Sequence, residues 1–524
     1  MLPRSLLRLA TATTSTVLTL VTVTACSTAP APSASSTTAI SAAHAAPPVP
    51  VVTALAADPP APPLTVSDDT LAAAITAAIA RDPALRDKPG DGVRVSVMRG
   101  QVTLRGNVRS LVAKRRAAAI VNGLRGATAL EDELVVVSPA RPDADIARDI
   151  ERSFRTDTAT RGARVKTTLS AGVVTLRGTV SSLHQRQLLE DEAARVPGVR
   201  AVTLAVSLPM ATRAPQEVTS EVNGRLHDDA RLVGAHVLVA VTGRSAVLSG
   251  AVASLAQREA AIDDARVAGI DDVVASGLEV DPGTSDRDLR AQASAAADDG
   301  HLGDVVRRAF ASDERVGQPA PAIHVEHGVV TLSGNIGDFR AEKAAVEDAN
   351  QVRGVRRVDD QTTVAPALLE TDAVIQSQVE RSVLNDLEAP DAPHLQITTS
   401  HGKVTLRGAV FSPEERRVIE DDVEAVPGVA SVENDLSIRG YAAESTTPAH
   451  PALRIRVIEN IFWDARVGGG KVTVDAAPDG SVTLSGRVDT PEQAKAAVED
   501  ATRAGAVRVV DHLTVATADD GISR

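Results

Sequence analysis

Aromatic side chains are almost absent: the 524 residues include one Trp, one Tyr and five Phe. A core must then be built from Val, Leu, Ile and Ala, which favours small repeated units over one large, pocketed body. Few rings also leave few stacking platforms for single-stranded nucleic acid. The net charge of -13 works against nucleic acid as a partner. Cysteine occurs once, at Cys26, which excludes an intrachain disulfide and a Cys-ligated zinc cluster. The chain has no Gly-x-Ser-x-Gly elbow, no phosphate-cradling Gly-x-x-x-x-Gly-Lys-Ser/Thr loop and no His-Glu-x-x-His pair. Gly468-Gly469-Gly470 lacks the Lys-Ser/Thr that a phosphate loop requires and reads as a plain loop. His324 and His327 are close, but they fall in a strand and its turn. No catalytic residue, metal or cofactor is therefore expected, and the chain reads as a non-enzyme.

What is present begins with an export signature. Arg4 and Arg8 precede an uncharged stretch, residues 9–25, rich in Leu, Val, Ala and Thr. It is short for a membrane span and suits a signal peptide. It ends in Val23-Thr24-Ala25-Cys26. That ending resembles the bacterial lipobox, in which a small residue precedes a cysteine that becomes lipidated. The resemblance makes residues 1–26 a lipoprotein signal peptide and Cys26 the lipidated mature N-terminus. In the sorting logic of such proteins, Ser27 implies the outer membrane of a two-membrane cell. Residues 27–65 are mostly Ala, Pro, Ser and Thr with almost no charge. They cannot bury a core and read as a disordered, Pro-stiffened linker.

From there the chain repeats. Six segments carry a strand–turn–strand motif that closes on Gly106, Gly178, Gly250, Gly334, Gly408 and Gly486, spaced 72, 72, 84, 74 and 78 positions apart. Five read Gly-x-Val-Thr-Leu-Arg/Ser-Gly, and the third, from Gly243 to Gly250, has one extra residue in its expected turn. Alternating residues before the motif, such as Val93, Val95 and Val97, mark a strand with one buried face. The first glycine permits the positive φ of a hairpin turn. The last allows a bend or a close backbone approach.

Upstream of each hairpin, apolar residues at i, i+4 and i+8 form one helical stripe, as in Leu71/Ile75/Ile79 and Leu453/Val457/Ile461. Three residues after each stripe stands an aspartate: Asp82, Asp157, Asp229, Asp313, Asp386 and Asp464. These read as Asx-type turns closing the helix. Downstream, a second helix ends at a Pro-Gly stop such as Val196-Pro197-Gly198. In five copies it carries an acidic pair (Glu190-Asp191, Asp263-Asp264, Glu347-Asp348, Glu420-Asp421, Glu499-Asp500), which reads as a solvated face. A third strand, such as Val202/Leu204/Val206, completes the unit. The fold class is α+β: six tandem helix-strand-strand-helix-strand modules at 66–138, 143–208, 216–281, 299–365, 370–440 and 450–517.

This order and the Val-Thr-Leu-Arg/Ser-Gly motif resemble the BON domain of bacterial envelope proteins, over about residues 66–516. The segment from Phe462 through Val467 is similar to the end of that family's first helix. The resemblance implies a periplasmic or outer-membrane location, often with a lipid anchor. It implies a membrane phospholipid or envelope component as partner, a part in envelope integrity under stress, and no catalysis. The alternative is a passive spacer or protein–protein interaction scaffold in the periplasm.

Two groups are candidate lipid-surface contacts. Lys114, Arg115 and Arg116 centre a basic stretch in the first copy, where residues 68–137 hold 11 basic and 8 acidic side chains, a net +3. Residues 143–206 carry +2 and residues 365–440 carry -8. In an array anchored at Cys26, the first two copies would face the bilayer and the acidic ones would project from it. Phe462 and Trp463 form an aromatic pair suited either to a membrane interface or to packing at a helix end.

Overall fold

The computed structural model describes residues 66–85, 92–138, 141–157, 159–160, 162–208, 213–282, 298–365, 371–386, 395–410, 412–438, 450–467 and 471–516. The signal-like segment, Cys26 and the linker lie outside the described residues. All six modules fall within one unit, Pro62–Arg524.

Each module follows one plan. In the first, α1 (Asp68–Arg81) leads into β1 (Arg94–Met98) and β2 (Gln101–Val108), then α2 (Leu111–Gly123) and β3 (Ala129–Val136). β1 pairs antiparallel with β2, and β3 pairs parallel on its other side. A parallel neighbour requires a crossover, and α2 supplies it. The second module has α3 (Asp143–Thr156), β4 (Arg164–Ser170), β5 (Val173–Thr179), α4 (Leu183–Arg195) and β6 (Ala201–Ser207). The third has α5 (Pro215–Asp228), β7 (His236–Thr242), β8 (Ser245–Val252), α6 (Leu255–Asp264) and β9 (Asp272–Val280). The fourth has α7 (Asp299–Ser312), β10 (Ala322–Glu326), β11 (Val329–Ile336), α8 (Phe339–Gln351) and β12 (Arg357–Val364). The fifth has α9 (Asp372–Asp386), β13 (Gln396–Ser400), β14 (Lys403–Val410), α10 (Pro413–Glu424) and β15 (Ser431–Ile438). The sixth has α11 (His450–Trp463), β16 (Lys471–Ala476), β17 (Ser481–Val488), α12 (Pro491–Arg503) and β18 (Arg508–Val515). Among the described residues this makes twelve α-helices and six three-stranded sheets, the α+β class that the repeat predicts.

Local chemistry explains the boundaries. Ser110, Ser182, Ser254, Asp338, Ser412 and Thr490 precede the second helices, and each accepts the backbone N–H three residues on. Such a cap contributes about 1 kcal/mol. The helical stripes are buried as their spacing predicts, with only Ile461 partly so. They meet the inner faces of the central strands, where Val102 and Leu104, or Val482 and Leu484, are fully enclosed. Each such side chain contributes about 1.5–3 kcal/mol, and each module has a core cluster of its own.

The closing glycines have φ between 104° and 151°. A Cβ on Gly178 would stand 2.0 Å from the carbonyl oxygen of Arg164 on the paired strand. Gly250 and Gly486 meet His236 and Lys471 in the same way. Gly178→Ala is therefore expected to destabilise by about 3 kcal/mol, from steric overlap added to backbone strain, read as a lower urea midpoint. Gly334 is the control, because nothing lies within 4 Å of its added Cβ. If Gly178→Ala proved no worse than Gly334→Ala, the close approach would not be what fixes the glycine.

In four hairpins both turn residues have positive φ: Arg99-Gly100, Ala171-Gly172, His327-Gly328 and His401-Gly402. This suits a two-residue turn joining twisted strands. An aspartate at the first position of the preceding helix (Asp68, Asp143, Asp299 or Asp372) accepts both turn amides. The third hairpin departs from expectation. Its turn, Gly243-Arg244, is also two residues long, with the glycine moved one place forward. The irregularity lies instead between β8 and β9, whose register shifts between Val247 and Ser249.

The modules are not strung out. Leu111, Leu183 and Leu255 each open a second helix directly after its cap. Leu111 packs against the core of the second module, Leu183 joins that of the third, and Leu255 joins that of the first. The first three modules thus close into a ring. Phe339, at the same position, packs against the core of the fifth, and α12 touches both α10 and α8. Modules four to six form a second triplet in this way. The triplets meet at several seams. Arg125 N–H donates to Trp463 O at 2.8 Å and Ala465 N–H to Gly123 O at 2.8 Å, so the sixth module rests on the first. Arg353 N–H donates to Asp228 O at 2.7 Å, joining the fourth module to the third. Side chains join the second module to the fourth and fifth. The expected array, with the later copies projecting away from the first two, gives way to a chain that folds back on itself.

Candidate functional site

The helix-end aspartates do form turns. Asp82, Asp157, Asp229, Asp313 and Asp464 each accept a backbone N–H two or three residues on. The side chain of Asp386 lies outside the described residues. Three of these turns also hold an arginine: Arg231, Arg315 and Arg466 fork onto Asp229, Asp313 and Asp464. Arg315 and Arg466 then reach the second helix, with Nη1 3.0 Å from Glu347 and 3.0 Å from Glu499.

The acidic pairs are therefore not a simple solvated face. Their second members Asp264, Asp348 and Asp500 sit within the field of the helix-end aspartate. Burial raises all three carboxyls, and Asp229, Asp313 or Asp464 raises them further; Asp500 reaches about 8. Low dielectric and a like charge both favour the neutral acid. Among the described residues no group of His, Cys, Asp and Glu is arranged to hold a metal ion.

Between the second and fourth modules one helix position serves both partners. Arg340, second residue of α8, pairs with Asp157 and, at 2.8 Å, with Glu192. His184, second residue of α4, places Nε2 3.2 Å from Asp313 Oδ1. Each module thus sends the same position to the helix-end aspartate of the other, an isologous contact. Burial raises Asp157, and Arg340 offsets only part of that. Glu192 is held below the usual range despite its burial by Arg340 and Arg195. Asp313 is likewise held well below it, against burial, by His184 and Arg315. The seam borders a chamber of about 1490 Å³ between modules two to five. Ionic side chains such as Glu221, Arg225, Arg308 and Lys343 line it, which makes it a poor receptacle for an acyl chain.

The basic run does not form an open cationic face. Lys114 donates to Leu134 O at 2.7 Å and lies 3.5 Å from Asp132. Arg115 pairs with Glu190 at 2.8 Å and with Asp191, both of the second module. Arg116 lies 3.9 Å from Asp82. The three side chains serve the first module and its seam with the second.

Phe462 and Trp463 stand edge to face, with centroids 5.4 Å apart. Trp463 packs against the core of the first module. Phe462 stays 40% exposed beneath the guanidinium of Arg125, 5.7 Å from its ring centre. Ile455 and Ile458, 52% and 40% exposed, share its side of α11. Positions i, i+3 and i+7 make one face, so α11 has a second apolar stripe turned outward. Sequence reasoning missed it because it looked for a single stripe per helix. It also missed Arg340, which carries no local signal. Among the described residues no helix is long and apolar enough to cross a membrane.

Small α+β modules, repeated around one hairpin motif and joined by ionic seams, define a tandem-module protein. The BON domain model matches residues 67–138, 142–208, 216–282, 298–366, 371–440 and 451–517, and the chain belongs to the BON domain family. A curated relative, osmotically-inducible protein Y of Escherichia coli (strain K12), is 29% identical over 148 residues, covering 27% of this chain and 73% of that protein. Among solved structures, CdsD, a structural protein of the type III secretion system of Chlamydia trachomatis, matches at 17% identity and a TM-score of 0.11, covering 39% of this chain and 90% of that one. Its C-terminal domain matches at 17% and 0.12, covering 41% and 100%. Scores so low establish no shared arrangement.

Proposed function

We propose that this chain is an exported, non-enzymatic protein of the bacterial cell envelope, lipid-anchored through Cys26 at the outer membrane and facing the periplasm. Its BON unit binds a phospholipid surface and supports envelope integrity. Family membership and the osmotic induction in the relative's name support an envelope role under stress. The observation that carries the lipid contact is the outward stripe Ile455/Ile458/Phe462. Apolar side chains so placed gain about 25 cal/mol per Å² when covered by the acyl boundary. Exposed Arg456 on the same helix adds about 1 kcal/mol toward anionic headgroups.

Residues 62–524 are expected to co-sediment with phosphatidylglycerol vesicles. Ile455→Asp combined with Phe462→Asp should weaken binding about tenfold or more while leaving the fold intact. Reversing Lys114, Arg115 and Arg116 to Glu should instead loosen the seam between the first two modules. Unchanged binding by the aspartate pair would overturn the stripe as the contact. In the full-length chain, palmitate label should enter the wild type and not Cys26→Ala; label in the variant would overturn the anchor.

One observation favours the scaffold reading. Leu238 is 70% exposed on β7, with Val247 outward beside it on β8, a sheet face suited to a protein partner.

A further inference from the structure

We propose that His184 is a pH-operated latch between the two triplets, drawing the second module onto the fourth when its ring is protonated and loosening that seam when the ring is neutral. The contact is isologous. Two equivalent positions face two equivalent aspartates. Arg340 fills one with a permanent charge, and His184 fills the other with the one side chain that ordinarily titrates between about pH 5 and 8. His184 Nε2 is shielded from solvent and makes no well-formed hydrogen bond, and Asp313 Oδ1 stands 3.2 Å away.

The groups around it are mostly acidic. After α7 come Asp313, Glu314 and Arg315; Glu314 bonds to Ser182 Oγ beside His184. From α8 come Glu347 and Asp348, both within 4 Å of Arg315, and Arg340, which is occupied by Asp157 and Glu192. From the third module Arg231 acts on Asp348 from a greater distance. Three carboxyls thus share Arg315 as their near cation, and a charged imidazole makes the second. The chamber that His184 lines gives protons a route to the seam.

The test is hydrogen exchange on the full chain at about pH 5.5 and about pH 8, corrected for the intrinsic rate, read on peptides covering 182–188 and 312–318. Wild type should be about tenfold better protected at the lower pH, since a charge-assisted contact is roughly twice as strong as a neutral one. His184→Gln should lose most of that difference. His184→Arg should be protected at both values, as a copy of Arg340. A pH-independent wild type, or a full response in His184→Gln, would overturn the latch. Should the glutamine variant fail to fold, a His184→Arg chain that still loosened at the higher pH would overturn it equally.

Discussion

Replacing Arg340 with leucine is expected to open the seam between the second and fourth modules and to destabilise the protein by about 3–5 kcal/mol. The side chains of Asp157 and Glu192 are 4% and 5% exposed, and both pair with this one guanidinium. Removing it leaves two buried carboxylates repelling each other. Glu192 keeps Arg195 and Ser153, and Asp157 keeps Thr160, so Asp157 is the group that takes up a proton. Breaking a buried pair from one side is costly because the charge left behind has lost its solvent and its partner. The measurement is urea unfolding of the full chain, where a separate early transition would report the loosened seam. Arg340→Lys keeps the charge without the fork and should fall between wild type and leucine. Asp157→Asn added to Arg340→Leu should recover part of the loss, because it removes the stranded charge. A change below about 1 kcal/mol, the range of exposed ion pairs, would show that the seam carries little.

The module was legible because its determinants are local. The Val-Thr-Leu motif, the alternation before it, the helical stripe and the Ser caps each lie within one turn or one strand of the feature they specify. The assembly was less so because its determinants are paired across long stretches of chain. Arg115 finds Glu190 and Asp191 about one module away, and Arg340 finds Asp157 183 positions back. A run such as Lys114-Arg115-Arg116 looks like an open cationic face until its counter-ions are in place. Trp463 reads as a membrane anchor or as packing at a helix end, and it lies, partly buried, against the core of the first module. The inter-module leucines did leave a trace. Ser110-Leu111, Ser182-Leu183 and Ser254-Leu255 repeat a large apolar residue directly after a cap, at a first-turn position outside the buried stripe that a lone module would need.

Stability should fall as the pH rises from about 5 to about 8, and Asp500→Asn should remove one proton's share of that fall. Asp500 is 2% exposed. Arg503 Nη1 donates to its Oδ1 at 2.7 Å, while Oδ2 has no hydrogen bond. Burial first, and the Asp464 carboxylate second, raise it to about 8. An unfolded aspartate titrates near 3.9. Between those values the folded state holds one proton more than the unfolded state, so stability declines with pH by up to about 1.4 kcal/mol per unit for this group. The contribution is complete below about pH 4 and gone above about 8. Asp313 has the opposite sign: its lowered carboxyl contributes above the unfolded value and loses that only in stronger acid. The two together place the optimum in mild acid. Asparagine keeps the neutral form at nearly the same volume, with an oxygen for Arg503. At about pH 8 the variant should be more stable by about 2–4 kcal/mol, and its stability should fall less steeply with pH than that of wild type. Urea midpoints at a series of pH values would show this directly. Lower stability of the variant at pH 8, or an unchanged slope, would mean that Arg466 and Arg503 suffice to hold Asp500 ionised beside Asp464 in the folded protein.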